Sequence, residues 1–413
     1  MEILHERVCG LDIHKASIQA CVRRVGPGGS VVSEVRTFGT MTRELLALAD
    51  WLTAEGVTHV AMESTGVYWQ PVYNLFEDRF DEVMVVNAQH VKNVPGRKTD
   101  VKDCQWLAHL LACGLLRGSL IPDRPRRERR ELTRQRTQLV NQRAAVVNRI
   151  HKTLEDANIK LGCVASDVVG VSGRAMLRAL LEGNSSPRQM AQLARKAMRK
   201  NIPALERALE GHVTDHHRFL LAELLDQADD LERRIDRFSA RIEELCRPFE
   251  AQIKAIDAIP GFDVRGAQNV IAEIGTDMSR FPTAGHLASW AGMCPGNHKT
   301  GGKSRSGKTT KGSRWFRTTL AQAAQGARHT KTSYFRAQYG RLSRKRGAKK
   351  AVIAVGHSLL TTIWHVLKTG RPYEDLGVDY FDQLDEARIV ASHVRRLQHL
   401  GYTVTATKTD QAA

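Results

Sequence analysis

Lys98-Thr99-Asp100-Val101-Lys102-Asp103 heads an apolar-periodic run of Trp106, Leu107, Leu110, Leu111 and Leu115. Apolar residues at steps of three and four predict a helix. Asp100 and Asp103 are three apart, so that helix carries both on one face. Acids in a first helical turn are also favoured by the helix dipole. The pair alone therefore does not separate capping from metal binding. Two acids upstream tip the reading. Asp12 ends the run Val8-Cys9-Gly10-Leu11, and Glu63 ends Val57-Thr58-His59-Val60-Ala61-Met62. Both read as strand C-termini, where open α/β sheets place their sites. Asp12, Glu63, Asp100 and Asp103 are hard oxygen donors of the kind Mg2+ (or Mn2+) takes. Two such ions would span a phosphodiester.

Outward from these acids, residues 7 to about 120 read as α/β. Arg7–Asp12, Ser17–Arg23 and Val31–Phe38 are short β-rich runs, with the turn Gly26-Pro27-Gly28-Gly29 between the second and third. A helix follows, with Leu45, Leu46, Leu48, Ala49 and Leu52 apolar. Then come the strand ending at Glu63, a helix with Tyr68, Val72 and Leu75, the strand Val83–Val86, and the helix of Asp100. Three antiparallel strands followed by alternating α and β is the ribonuclease-H-like order. The rest of the chain reads as all-α.

Three motifs carry a family resemblance. Gly10-Leu11-Asp12-Ile13-His14-Lys15, Met62-Glu63-Ser64-Thr65-Gly66-Val67-Tyr68 and Lys98-Thr99-Asp100-Val101-Lys102-Asp103 resemble the DEDD insertion-sequence transposases. The resemblance covers roughly residues 5 to 375. It implies a RuvC-like N-terminal domain and a helical C-terminal transposase domain with a catalytic serine. It also implies DNA as donor and target, and a structured guide RNA, the bridge RNA. The parts then run 1–120 (RuvC-like), 121–255 (helical, coiled-coil), 256–375 (transposase domain) and 376–413 (tail).

Charge agrees with a polyanionic partner. Lysine plus arginine is 62 against 44 acids, a net +18, and such a balance points to nucleic acid. No acid lies between Asp277 and Glu374. Seven scattered cysteines form no C-x-x-C pair, which gives no sign of a zinc knuckle or a disulfide framework. A cytoplasmic protein, nucleoid-associated and without a membrane-spanning run, is the expectation.

Residues 121–160 read as a long basic helix. Leu132, Leu139 and Val146 recur every seven residues, and Arg134, Arg136, Arg143, Arg149 and Lys152 lie on its other faces. Those cations suit either a solvated face or nucleic-acid backbone. Residues 161–215 carry no assignable role, and His212, His216 and His217 read as surface residues. From Leu221 through Leu224, Ala228, Leu231, Ile235, Phe238, Ile242 and Leu245 to Phe249 the steps of three and four predict a coiled-coil seam. Pro248 should kink or end it. With the helix from 126 the seam makes an antiparallel hairpin or a dimer arm, or else the core of a plain helix bundle; a homo-oligomer, dimer or tetramer, is the expectation.

Ile259-Pro260-Gly261-Phe262-Asp263 reads as the turn of a helix–hairpin–helix that offers N–H groups to a phosphate. Gly302 to Thr309 fits the P-loop pattern G-x-x-x-x-G-K-T, but no strand precedes it and no acid follows before Glu374. A basic, hydroxyl-rich loop that grips DNA is the better reading. By the family resemblance this loop holds the nucleophilic serine just before a pair of glycines. Gly301-Gly302 puts Thr300 there, a departure from the family. Thr300 is one candidate nucleophile; Ser304 and Ser306 are the alternatives, and phosphate binding by all three is another. Lys303, Arg305, Lys308, Lys311, Arg314, Arg344, Lys345, Arg346, Lys349 and Lys350 are the expected nucleic-acid contacts. His357 reads as a core histidine in the apolar run Val352–Val366, and the tail after about 385 as frayed.

The residues alone predict metal-dependent phosphoryl transfer on a polyanion; the family resemblance implies RNA-guided DNA strand cleavage and rejoining through a covalent protein–DNA link. Two alternatives stand: a Holliday-junction-type nuclease that hydrolyses with the acids alone, and a non-catalytic nucleic-acid scaffold.

Overall fold

Arg7–Ile13 (β1) is buried on both faces, because different helices cover the two sides of its sheet. The computed structural model describes residues 3–26, 30–64, 66–88, 91, 103–295, 299–301, 303–304, 309, 312–384 and 386–407. It divides into two units, Met1–Asp123 and Arg124–Ala413.

In the first unit Ser17–Val25 (β2) and Val31–Gly39 (β3) continue β1 as an antiparallel meander. His59–Glu63 (β4) and Glu82–Val86 (β5) then add parallel to β1, giving the order β3-β2-β1-β4-β5. The parallel pairs need crossovers. Thr42–Ala54 (α1) leads into β4, and Trp69–Phe76 (α2) joins β4 to β5. On one face Cys9, Leu11 and Ile13 of β1 pack with Leu45, Leu48, Leu52, Val72 and Phe76. On the other, Val8, Cys21 and Ala61 pack under Cys104, Ala108 and Leu111 of the helix Asp103–Ala112 (α3).

Gly10 sets how closely α3 lies on the sheet. A Cβ there would stand 2.3 Å from the Cys104 carbonyl oxygen and 2.5 Å from the Ala108 nitrogen. Both are backbone atoms and no rotamer change moves them. Gly10→Ala is therefore expected to destabilise this unit by about 2–3 kcal/mol, the upper range of overpacking. Urea unfolding measures it, and an unchanged midpoint would rule out this close approach.

In the second unit the long helix Arg124–Asp156 (α4) pairs with Asp215–Cys246 (α9). Arg143 meets Glu232, Arg149 meets Gln227, and Asp156 meets His217, so the two run antiparallel. The seam of Leu221, Leu224, Ala228, Leu231, Ile235 and Ile242 is buried within its own chain. It ends on Cys246 instead of Leu245, where Arg247–Phe249 tightens into a 3-10 turn at Pro248. Residues 157–214 form Leu161–Val164 (α5), Val171–Glu182 (α6), Pro187–Gln192 (α7) and Ile202–Ala208 (α8). These short helices share a core with the α4–α9 hairpin. His217 is not a surface residue. It is 8% exposed, with Nδ1 2.9 Å from Thr214 Oγ1 and Nε2 2.9 Å from Asp156.

Glu250–Asp257 (α10), Ala284–Trp290 (α12), Arg314–Ala327 (α13) and Tyr334–Arg346 (α14) pack against Ala348–Thr369 (α15), and Val264–Ile274 (α11) packs on α4, α10 and α13. At 22 residues α15 is long and apolar enough to cross a membrane by length and composition, contrary to the expectation that no run reaches that length. Its Val355, Leu359, Leu360 and Ile363 are instead buried against neighbouring helices. The tail is more ordered than its polarity suggests. Tyr380–Gln383 (α16) brings Phe381 onto Tyr334, with ring centroids 5.1 Å apart, and Glu386–His399 (α17) is helical with no buried residue.

Candidate active site

Two of the four acids stand side by side. Parallel pairing of β1 with β4 puts Leu11 opposite Met62. One residue further along that register Asp12 faces Glu63, and neighbouring strands lie about 4.8 Å apart. Side chains alternate between faces. Asp12 therefore shares the face of Val8, and Glu63 that of Ala61, which is the face covered by α3. Asp103 is the first residue of that helix and is exposed. Both strand acids are half-buried, and the Asp12 carboxylate lies 3.3 Å from the exposed His14 ring. Asp100 falls outside the described residues. Among the described residues no three His, Cys, Asp or Glu side chains come together as a metal-ligand set. Asp12 and Glu63 nonetheless fit a divalent cation by chemistry, since both supply carboxylate oxygens from one face at adjacent strand ends.

In the second unit, Lys299–Thr300 (β6) pairs antiparallel with Lys303–Ser304 (β7), Thr300 opposite Lys303. Thr300 is the last strand residue before the turn, where Gly301 has φ +57° and open space around it. An L-residue other than glycine is disfavoured at that φ. Below the hairpin Pro295 bridges Thr309, and Arg317 donates to Thr309 Oγ1 at 2.9 Å. Ser306, Arg305, Lys308 and Lys311 lie outside the described residues. The P-loop pattern has no P-loop structure among the described residues. Lys303–Ser304 is a hairpin strand, and α13 begins only at Arg314, capped by Ser313.

The remaining cations fall into two groups. Lys303, Arg314, Arg344, Lys345, Arg346, Lys349 and Lys350 are exposed. Arg344, Lys345 and Arg346 end α14, where a helix dipole also favours them. Arg130, Arg134 and Arg136 of α4 are turned inward instead, while Arg149 and Lys152 stay exposed. Arg134 donates to Glu273 at 2.7 and 3.0 Å, and Arg136 to Gln268 at 2.7 Å and Asn269 at 3.1 Å. Burial pushes the Arg130 and Arg136 guanidiniums down to about 10. These side chains hold α11 rather than a nucleic-acid backbone. The turn before α11 is also committed: Gly261 (φ +92°) lies against the Ala323 carbonyl of α13. The Asp263 carboxylate takes the Gly266 N–H at 2.7 Å, so a phosphate arriving there would face an anion.

Acids on a sheet's parallel strand ends, with a basic helical unit that displays a hydroxyl-bearing hairpin, define a candidate phosphoryl-transfer protein. Comparison with known proteins gives the family. Residues 9–159 match the DEDD-type IS110 transposases, described as transposase, and residues 253–340 match the family described as Transposase IS116/IS110/IS902. Together these regions span more than half the chain, which belongs to this transposase family. A probable family 20 transposase of Pseudomonas aeruginosa is 31% identical over 152 residues. The match covers 36% of this chain and 44% of that protein, so it spans less than half the relative's length. Asp12 and Glu63 fall inside the first matched region, and Thr300 and Ser304 inside the second.

Proposed function

We propose that this chain is a DNA transposase that cleaves and rejoins strands through a covalent protein–DNA link. The observation that carries this reading is the β1–β4 register, whose last pair, Leu11 with Met62, leaves Asp12 and Glu63 as the next residue on each strand, in a chain whose second matched region has Thr300 at a hairpin turn. The five-strand order fits a ribonuclease-H-like, RuvC-like domain in residues 1–120, ahead of a helical region and a transposase domain. Asp12, Glu63, Asp100 and Asp103 would hold Mg2+ or Mn2+. A bound divalent ion supplies charge neutralisation at the scissile phosphate.

In the first step the Thr300 Oγ attacks phosphorus. The Oγ–P bond forms, the bridging P–O bond breaks, and the departing DNA hydroxyl takes a proton. In the second step another strand's hydroxyl attacks the phosphothreonine and releases the Thr300 Oγ–H. The bond energy is kept for rejoining. Family membership extends the proposal to a structured guide RNA and to a dimer or tetramer of this chain acting on donor and target DNA. The test is to trap a covalent adduct on a nicked suicide substrate with Mg2+ and map the linked peptide. An adduct on residues 296–311 is the expected result.

A second reading has one observation in its favour: a threonine stands where the family's serine is expected. Hydrolysis by the acids alone would then leave free ends and no adduct.

Binding should follow the exposed cations. Replacing Lys345, Arg346, Lys349 and Lys350 with alanine is expected to flatten the slope of log K against log salt by about 0.9 for each phosphate that is no longer neutralised. Titrations at several salt concentrations measure it. A wild-type slope would make these four a solvated face only.

A further inference from the structure

We propose that Glu273 is a positioning residue that fixes the root of the hydroxyl-bearing loop through Ser313. The proposal rests on the reading of that loop as the chemical one, and it starts from how both ends of the loop are held. A Cβ on Gly312 would stand 2.3 Å from the Ala291 carbonyl carbon and 2.5 Å from the Gly292 nitrogen, so the turn after α12 and the residue before Ser313 touch backbone to backbone. One residue on, the Ser313 hydroxyl has two partners. It accepts the Phe316 N–H at 3.3 Å, which caps α13, and donates to Glu273 Oε2 at 3.1 Å.

Glu273 has an unusual setting for an acid. Its side chain is 3% exposed, in the apolar run Val270-Ile271-Ala272-Glu273-Ile274. Arg134 grips it with a two-pronged bond, and the Arg130 Nε stands 3.6 Å from it. Arg130 also donates to the Glu273 carbonyl at 2.5 Å, and Arg126 to the Ile274 carbonyl at 3.0 Å. A buried ion pair is weak evidence for stability, because apolar residues of the same volume often do as well. The carboxylate does what an apolar residue cannot: it accepts from α4 and from the loop root at once. A carboxylate has about four acceptor sites, and Arg134 and Ser313 fill three of them. The loop's exit is thereby tied to α4 and α11, while a Cβ on Gly301 at its turn would meet nothing within 4 Å. Sites hold their geometry when the supporting residues are locked in this way.

Glu273→Gln is a poor test alone, because it leaves Arg130 and Arg134 buried against a neutral group. Ser313→Ala removes only the hydroxyl, with Ser313→Thr to restore it. Ser186→Ala, which deletes the N-cap of α7, is the control for the loss of a cap elsewhere. Trypsin reads the loop directly, since Lys299 and Lys303 lie in it. In Ser313→Ala, cleavage there is expected to be about tenfold faster, tracking the open population. Adduct formation should slow by up to roughly 100-fold, the scale of a 1 Å misplacement. Affinity for DNA should stay within about twofold, and a 1 Å shift at one hydroxyl leaves most phosphate contacts in place. Ser313→Thr should match wild type in all three. Loop cleavage and adduct rates equal to those of Ser186→Ala would overturn the proposal. So would a loss of DNA affinity parallel to the loss of adduct. If wild type forms no adduct, the covalent reading fails by itself, and the trypsin arm still decides whether Ser313 and Glu273 hold the loop.

Discussion

Thr300→Ala is expected to abolish the protein–DNA adduct and strand joining while DNA affinity stays within about twofold, since one hydroxyl among many phosphate contacts carries little of the binding. Loss of a nucleophile costs on the order of 10⁶ in kcat where the residue is the attacking group. That is far beyond the roughly 1 kcal/mol of a lost hydrogen bond. Magnitude therefore separates the roles: a phosphate-binding threonine would lose about tenfold, and an attacking one everything measurable. Thr300→Ser should keep or raise the rate. The hydroxyl remains, and the methyl that crowds an in-line approach is gone. Thr300 is the last strand residue before Gly301, whose φ is +57°. The measurement is single-turnover adduct formation on a nicked substrate, with mapping of the linked peptide. An adduct that persists in Thr300→Ala and maps to Ser304 or Ser306 would move the role to that serine. Free ends without adduct in every variant, wild type included, would favour hydrolysis.

The sequence made some of this legible for definite reasons. Short β-rich runs set between turn signals and helical runs placed β1 to β5, and an acid ending an apolar run placed Asp12 and Glu63 at strand ends. The parallel register that sets them side by side is a tertiary fact, because it depends on which strands neighbour β1. Gly10 looks like an ordinary strand glycine in sequence, and only the helix α3 lying across it explains the residue. The arginines of α4 show the limit of charge counting. Composition cannot distinguish a cation facing solvent from one facing Gln268 or Glu273, and here buried partners took Arg134 and Arg136. Glu273 does carry a signal in the sequence: it interrupts an apolar helix at the edge of an acid-free span, downstream of a helix rich in arginine. His217 has a signal too, since Thr214 three residues before it is a capping spacing that draws the ring inward. In the tail, Val390, Val394 and Leu397 keep the helical spacing of α17 within a polar composition.

Asp12→Asn is expected to remove cleavage and joining, and to do so through the metal rather than through the fold. Asp12 and Glu63 are adjacent in register on parallel strands about 4.8 Å apart. Two half-buried carboxylates so placed repel each other, and a cation held between them offsets that repulsion. Neutralising one removes that repulsion, so without Mg2+ the variant should melt at or above the wild-type temperature. A variant that merely damaged the sheet would melt lower. With Mg2+ the order reverses. Ligand that binds only the folded state stabilises it by about 2.7 kcal/mol at 100 times its Kd. That is a rise of several degrees for a domain of this size, and Asp12→Asn should lose most of it. Glu63→Gln should behave in the same way, since the two acids share one face. Asp12→Glu keeps the charge but moves it by a methylene, so it should retain part of the Mg2+ response and little of the rate. Calorimetric scans with and without Mg2+, beside cleavage assays at matched protein concentration, give both readouts. A variant that cleaves at the wild-type rate, or that Mg2+ protects as well as wild type, would exclude Asp12 from the metal site. An unaltered Mg2+ response joined to lost cleavage would leave Asp12 a different task, orienting His14, whose ring lies 3.3 Å from it.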